Sequence, residues 1–325
     1  MSNPIPAANK VRFSVAMTTE KYQSLVHNTL RDPARANRFI SAITSAVAVN
    51  PELQDCDAGT ILACGLLGES LGLNPSPQLG DYYLVPFENR LKGPDGKPIY
   101  LFDKDGQHLK DKKGRWAVAT EKKAQFILGY KGYIRMAVRS KQYRLLNVIE
   151  IKESEIRHWD PLNEEIECIL IEDFDAREAA PTVGYYAMFE TLDGFRKAIY
   201  WSRAKMEAHA DRYSPAFSSE AYHQLQRGEI PEDELWKYSS FWYKDFDVMA
   251  RKTMLRQLIS RWGVMSSELI TAMDNDNKVI KMDSPGVFSG ELPEPLLPSP
   301  EDGPPEPMAE AAPPADAEAV DIHAL

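Results

Sequence analysis

Apolar residues recur at helical spacing through the first quarter of the chain. The pattern predicts helices at residues 21–30, 33–49 and 57–71. Asp57 suits the N-cap position of the third helix, and Gly72 stands where a glycine commonly ends a helix. The amino-terminal part of the protein is therefore predicted to be helical.

Shorter apolar stretches bounded by turn sequences follow in the middle of the chain. They predict strands at residues 82–87, 125–128 and 144–152, with turns at the sequences GPDG (93–96) and DKDG (103–106). Two further strands, 183–191 and 195–202, are joined at Asp193-Gly194 and predict a β-hairpin. We expect these strands to form a central antiparallel sheet.

From Arg203 onward the pattern is helical again, and its longest helix is predicted at about residues 241–262. Apolar side chains occur on most sides of this helix, which is typical of a helix at the centre of a domain. Its cations, Lys244, Arg251, Lys252 and Arg256, are expected to emerge where the core opens. The fold class predicted is α+β, with a long central carboxy-terminal helix.

The composition changes after Met282. The last segment holds ten prolines, ten acidic residues and no Lys or Arg. Such a segment buries too little apolar surface to offset the entropy of ordering, so it is expected to be disordered. We therefore predict a flexible lead at 1–20, a core at 21–281 and an acidic tail at 282–325.

The net charge of −10 misrepresents the core. Without the tail, 38 acidic residues balance 38 basic ones. Within the core, residues 90–144 carry fifteen Lys or Arg against five Asp or Glu, whereas residues 150–178 are dominated by acids. Charge segregated in this way predicts a positive groove on a neutral molecule.

Lys131, Arg135 and Arg139 recur at helical spacing after the sequence GYKG. At 1.5 Å per residue they span roughly 12 Å, enough to follow about three phosphates of a DNA strand. A basic helix face is also common as a merely solvated surface, and the stripe alone leaves both interpretations open.

Cys56, Cys64 and Cys168 lack the spacing of a metal site and lie among apolar residues, so core packing is expected. We find neither an apolar signal segment in the first thirty residues nor an apolar run long enough to span a membrane. These observations favour a cytoplasmic protein without membrane association.

Enzyme motifs fail on their spacing. GPDGKP and GYKG lack the gap and the Ser or Thr that a phosphate loop requires, and His158 has no second ligand at helical spacing. The carboxylates of Glu172, Asp173 and Asp175, and those of Asp245 and Asp247, are grouped as a metal-dependent nuclease requires, but charge runs of this kind are usually solvated faces or helix caps. Asp247 is also spaced to pair with Arg251.

Three blocks, in order, carry a more specific pattern. They are SLGLNPSPQLGDYYLVPFEN at 70–89, QFILGYKGYIRMAVRS at 125–140 and FWYKDFDVMARKTMLRQLISRWG at 241–263. Their wording and order closely resemble the RecT family of phage single-strand annealing proteins. The resemblance runs from about Lys21 to Met273, and departs from the family only in a longer, more basic stretch from Leu91 to Lys122.

The resemblance implies ATP-independent annealing of complementary strands by an oligomer, a ring or helical filament, that holds single-stranded DNA in a positive groove. Lys131, Arg135 and Arg139 are the leading phosphate contacts that it implies, followed by Arg251, Lys252 and Arg256. The remaining residues expected at the DNA are Phe87, Asn89, Lys123, Gln125 and Tyr130. Phe87 and Tyr130 are equally compatible with core positions.

The same resemblance implies no catalytic residue and no tightly bound cofactor, with Mg²⁺ at most assisting DNA binding. It also implies a partner exonuclease and a host single-strand-binding protein. The acidic tail ending in AVDIHAL is either a docking peptide for such a partner or a segment that keeps the neutral core soluble and competes for its groove. The alternatives that the residues leave open are the nuclease and a passive coat protein that protects single strands.

Overall fold

The computed structural model describes residues 12–91, 93, 97–103, 108–110, 116–214 and 216–292. The predicted α+β class is confirmed, with helices leading into antiparallel strands and a long helix in the second half. The turn sequences at 94–96 and 104–106 lie outside the described residues, as do residues 293–325 of the predicted tail.

The described amino-terminal part has four α-helices, of which the last three match their predicted positions closely and the first was not predicted. They are α1 (Phe13–Ala16), α2 (Glu20–Leu30), α3 (Pro33–Val49) and α4 (Ala58–Ser70). Asp57 caps α4 by accepting a hydrogen bond from the Thr60 N–H at 3.0 Å, and Gly72 beyond its end has a positive φ of 63°. Phe13 is fully buried, so the packed part of the chain begins before the expected boundary at residue 20.

The strands divide among separate sheets instead of forming one. The first sheet contains β1 (Tyr82–Arg90), β2 (Thr120–Leu128), β8 (Lys278–Ser284) and β9 (Val287–Glu291), in the order β1-β2-β8-β9. Val279 and Ile280 of β8 are buried and Phe288 of β9 packs against the same core. The expected core boundary at residue 281 is therefore too early, because these apolar residues continue the core.

The second sheet has three strands, in the order β3-β6-β7. Its strands are β3 (Tyr143–Lys152), β6 (Thr182–Thr191) and β7 (Arg196–Ser202). The predicted hairpin is confirmed, with Gly194 at a φ of 89° in the turn between β6 and β7. A short hairpin of β4 (Ile156–Asp160) and β5 (Glu165–Cys168), followed by α6 (Phe174–Ala179), was not predicted.

The remaining helices are α5 (Tyr130–Arg139), α7 (Arg203–Tyr213), α8 (Ser219–Gln226), α9 (Phe241–Lys244), α10 (Phe246–Trp262) and α11 (Ser267–Asp274). The prediction of a single helix at 241–262 is wrong in one respect, because the chain forms two helices there, α9 and α10. Asp245 leaves the helical conformation, with a φ of −151°, and its side chain accepts the Val248 N–H at 3.2 Å. The chain therefore ends α9 and caps α10 at this residue.

Helix α10 joins two hydrophobic cores. Leu255 and Ile259 pack in the core beneath the first sheet, whereas Ala250, Met254 and Leu258 pack in the core beneath the second. Apolar residues on several sides of the helix are explained by this double burial. The predicted central position of the helix is confirmed.

Residues 90–120 belong to a separate compact unit. Its described residues are linked by antiparallel bridges between Tyr100 and Val118, Phe102 and His108, and Lys110 and Trp116. The His108 ring centroid lies 4.4 Å from that of Phe102 and 5.0 Å from that of Trp116. The described part of the basic stretch from Leu91 to Lys122 is thus held by backbone pairing.

The cysteine expectation is confirmed. Cys56 and Cys64 are buried, Cys168 packs against the second sheet, and all three are free thiols. Burial raises the pKa of the Cys64 thiol to about 12. No helix within the described ranges is both long and apolar enough to cross a bilayer.

Candidate nucleic-acid interface

Asp81 ties the first sequence block to the second. Its side chain is fully buried, and Oδ2 accepts a hydrogen bond from the Asn74 N–H at 3.0 Å. Oδ1 lies 3.0 Å from Nε of Arg135 on α5. Because a carboxylate without water around it requires a charged or hydrogen-bonded partner, this ion pair anchors α5 to the loop before β1.

The glycines of the GYKG sequence allow a close contact at the same place. A Cβ atom at Gly129 would lie 2.0 Å from the Gly80 carbonyl oxygen, and one at Gly132 would lie 2.2 Å from that of Asp81. The Gly129 N–H also donates to the Asp81 carbonyl at 2.8 Å. Only residues without a side chain fit here, so the first turn of α5 rests directly on the backbone at 80–81.

Asp276 ties the third block to the second in the same manner. Its buried carboxylate accepts the Leu128 N–H at 2.9 Å and contacts Lys252 Nζ at 3.0 Å and Arg256 Nη1 at 3.2 Å. The Lys252 side chain is only 8% exposed, whereas that of Arg256 is 42% exposed. The prediction that Lys252 contacts phosphate therefore requires correction, because its charge is used inside the protein.

Arg139 also has an internal partner. Its Nη2 donates to the Leu71 carbonyl at 2.6 Å, just beyond the end of α4, where helix carbonyls lack partners. Of the three cations along α5, Arg135 and Arg139 are thus engaged in holding the fold. Lys131 is exposed and makes no hydrogen bond or ion pair with any described residue.

A cationic aromatic surface lies where the three blocks meet. The Arg251 guanidinium carbon is 4.9 Å from the centroid of the Tyr130 ring, and its Nε is 3.2 Å from Glu150 Oε1. On the other side, Tyr83 stacks at a tilt on Phe241, with centroids 5.8 Å apart. We call this the Tyr130 surface, and its members are Tyr83, Tyr130, Lys131, Phe241, Lys244 and Arg251.

The pKa of Tyr83 supports the proximity of these groups. Burial raises the pKa of Tyr83 above its usual value, and the neighbouring Tyr130, Asp245 and Asp81 raise it further. A cleft of about 330 Å³ extends from Tyr83, Phe241 and Lys244 towards the end of α3. Lys244 is exposed at its edge. The surface therefore combines aromatic rings, an open recess and cations.

Other residues predicted at the DNA lie elsewhere or inside. Gln125 is 7% exposed, with its Nε2 3.5 Å from the Asn277 carbonyl oxygen. Lys123 pairs with Glu121 at 3.2 Å. Phe87 and Asn89 are half-buried on β1, and the Asn89 Nδ2 is buried without a hydrogen-bond partner among the described residues. The expectation for Gln125 is therefore corrected to a core position.

Sequence reasoning did not select Tyr83, Phe241 or Lys244 as site residues, although all three lie in the matching blocks. The available signal was an aromatic residue beside a lysine in FWYK and the paired tyrosines in GDYY. Which of these aromatic residues face one another depends on the packing of β1 against α9, which no local pattern specifies.

Three of the five carboxylates considered for a nuclease, Asp173, Asp245 and Asp247, have structural partners. Asp173 caps α6 through the Ala176 N–H at 2.8 Å, and Asp245 caps α10. Asp247 accepts the Tyr185 hydroxyl at 2.6 Å and pairs with Arg203, so its expected pairing with Arg251 is wrong. No group of three His, Cys, Asp or Glu side chains with the geometry of a metal site occurs in the described part of the chain.

Aromatic side chains beside cations, as on the Tyr130 surface, are typical of proteins that bind single-stranded nucleic acid. Comparisons with known families and proteins identify relatives of this chain. The model of the RecT family matches residues 37–286. The uncharacterized protein YqaK of Bacillus subtilis is 30% identical over 295 residues, covering 89% of this chain and 81% of that protein. Protein RecT of Escherichia coli is 25% identical over 249 residues, covering 75% and 72%.

The chain therefore belongs to the RecT family. This confirms the resemblance carried by the three blocks, all of which lie within the matched region. Membership supports a role in DNA recombination and strand annealing in general.

Proposed function

We propose that the protein binds single-stranded DNA on the Tyr130 surface and anneals complementary strands without nucleotide hydrolysis. The observation that carries the proposal is the Tyr130 ring with Arg251 at 4.9 Å, placed where the three family blocks meet. Lys131 is exposed beside this ring, free of any described carboxylate.

Annealing requires a surface that binds phosphates and base faces while leaving the pairing edges of the bases free. Lys131, Lys244, Arg251 and the exposed part of Arg256 attract phosphates and lower the repulsion between two strands. Tyr83, Tyr130 and Phe241 offer ring faces to the bases, which supply affinity without reading sequence. The Watson–Crick edges stay free, so base pairing itself selects the partner strand.

Arg135 and Arg139 contribute to the positive field while retaining their internal partners. The Arg135 side chain is 47% exposed although its Nε contacts Asp81. We therefore propose that these two residues act on DNA from fixed positions, with Lys131 as the mobile cation of α5.

Assembly and partners belong to the same proposal. A ring or helical filament of copies would join the Tyr130 surfaces into a continuous groove, with Mg²⁺ at most assisting by screening phosphates. A partner exonuclease would supply single strands, and the acidic tail would bind the host single-strand-binding protein. The resemblance and the family support these elements, and a non-catalytic mode of action.

Mixing labelled complementary oligonucleotides with the protein tests the proposal. Duplex that forms faster than without protein, from strands of unchanged length, is expected. Shortened strands in the presence of Mg²⁺ would establish the nuclease alternative, and slower pairing would establish the passive coat. Each result identifies one of the three activities.

The double variant Lys131→Gln/Lys244→Gln tests the surface. We expect weaker binding, with the slope of log affinity against log salt reduced by about 0.7 for each lost phosphate contact. Arg227→Gln is the matched control, because this exposed arginine pairs with Glu229 outside the Tyr130 surface. An unchanged slope in the folded double variant would refute the assignment of these lysines.

A further inference from the structure

Helix α7 carries a second set of rings and cations that the Tyr130 surface does not include. Lys205, His209 and Tyr213 recur at helical spacing on this helix, and Trp201 precedes it at the end of β7. The His209 ring centroid lies 5.1 Å from that of Trp201 and 4.7 Å from that of Tyr213. Three aromatic rings therefore form a row along one side of α7.

Cations lie over these rings. Lys205 Nζ is 4.6 Å from the Trp201 ring centroid, and the Arg212 guanidinium carbon is 5.3 Å from that of Tyr213. We call Trp201, Lys205, His209, Arg212 and Tyr213 the α7 face. Tyr213 is 63% exposed, which makes it the ring most accessible to a ligand.

Helix α10 adds positive charge to the same place. Burial lowers the pKa of His209, and the charges of Arg256, Arg261 and Lys205 lower it further. His209 is therefore held as a neutral ring within a positive field. Arg261 also lies over the Trp262 ring, with its guanidinium carbon 5.9 Å from the centroid.

The acidic residues of α7 lie on its opposite side and have partners there. Glu207 pairs with His223 Nε2 at 2.6 Å, and Asp211 accepts the Ser219 N–H at 2.7 Å, both on the side that meets α8. These carboxylates are thus directed away from Lys205 and Arg212. The positive charge of the α7 face is left without a described acidic partner on its own helix.

We propose that the α7 face is a second contact for single-stranded DNA, at which bases stack on Tyr213 and the neighbouring rings while Lys205, Arg212 and Arg261 hold phosphates. Aromatic rings flanked by cations fit a polyanion with flat bases, because the cations bind phosphates and the ring faces stack on the bases. The inference rests on the proposed function and adds a site to it.

The two contacts are linked through α10. Arg251 reaches the Tyr130 ring, and Arg256 and Arg261 act electrostatically on His209. The α7 face binds either the strand that occupies the Tyr130 surface or a complementary strand, and both cases require the same base stacking on Tyr213.

The affinity of Tyr213→Ala for an oligothymidylate tests the proposal. Loss of one stacked base at an exposed site is expected to weaken binding by about fivefold, the lower end of the range for aromatic stacking. Phe174→Ala is the matched control, because it removes a 74% exposed ring from α6. Lys205→Gln/Arg212→Gln should reduce the salt slope, and the control Arg227→Gln should not.

Photo-crosslinking of the unaltered protein to an iodouracil-substituted single strand gives a readout independent of any variant. Crosslinks in the peptide that spans residues 201–213 are expected. If Tyr213→Ala folds and binds single strands like the wild type, the proposal is overturned, whatever the crosslinks show. If the variant does not fold, the absence of crosslinks in residues 201–213 of the wild type overturns the proposal. If the wild-type protein neither binds nor anneals strands, the proposed function is refuted as well. If the wild type anneals strands and Tyr213→Ala binds them with unchanged affinity, only the inference about the α7 face is refuted.

Discussion

The junction around Asp81 and Asp276 and the α7 face are both rich in cations, yet the cations serve different purposes. At the junction, Arg135, Lys252 and Arg256 point at buried carboxylates, within 3.2 Å of an acidic oxygen. On the α7 face, Lys205 and Arg212 lie over aromatic rings. A basic residue in a matching block is therefore not by itself a DNA contact, because a buried acid nearby decides its role.

The largest expected effect comes from removing the charge at the junction. Asp276→Asn leaves Lys252 buried beside a neutral amide, and we expect the free energy of unfolding to fall by about 3–5 kcal/mol, because an unpaired buried charge is costly. Urea denaturation measures this loss. Lys281→Gln breaks an exposed pair with Glu291 and should cost at most about 1 kcal/mol.

If Asp276→Asn destabilised the protein no more than Lys281→Gln, the pairing of Lys252 with Asp276 would not hold the blocks together. Lys252 would then be available to DNA, and the contrast between the junction and the α7 face would disappear.

A smaller effect separates two neighbours on α5. Arg135→Ala leaves the Asp81 carboxylate buried without its cation, and we expect a loss of about 2 kcal/mol in stability. Lys131→Ala should change stability by no more than about 0.5 kcal/mol, because the side chain is exposed. Thermal and urea unfolding of the two variants measure the difference.

DNA binding should rank these variants differently. Lys131→Ala is expected to reduce the affinity for single strands and the salt slope, despite its full stability. Equal stability loss in the two variants would contradict the structural role assigned to Arg135. Unchanged affinity in Lys131→Ala would contradict the phosphate contact.

The smallest expected effect is a pH dependence at His209. Its pKa is lowered in the folded protein, first by burial and then by Arg256, Arg261 and Lys205. As pH falls below about 6.5, the unfolded chain therefore takes up the proton before the folded protein does. Stability that is present above this pH is lost towards acid.

His209→Gln removes the titrating group and is the matched comparison. Urea denaturation at neutral and mildly acidic pH should show a smaller acid loss in this variant than in the wild type. The same loss in both proteins would mean that other groups, not the positive field on the α7 face, cause the pH dependence.

Local patterns predicted the elements that local physics controls. Helix α3 agrees with its expected bounds, and α4 agrees within a residue, because spacing, the Asp57 cap and Gly72 act within a few residues of sequence. The β6–β7 hairpin follows for the same reason, since Asp193-Gly194 specifies its turn. In contrast, β8 pairs with β2, a strand about 150 residues away, and β9 pairs with β8 in a segment whose proline-rich composition concealed it.

For the candidate site, too, the sequence established some features and the tertiary structure decided others. The amino-acid sequence was enough to establish the family, the α+β class, the free cysteines in the core and the blocks in which the site lies. The tertiary structure decided which cations are available, because Asp81 and Asp276 lie far from their partners along the chain and a buried carboxylate selects its cation only once the fold is formed. It also placed Trp201, His209 and Tyr213 on one face. Trp201 belongs to a strand and the other two residues belong to a helix, so no single sequence period relates the three rings.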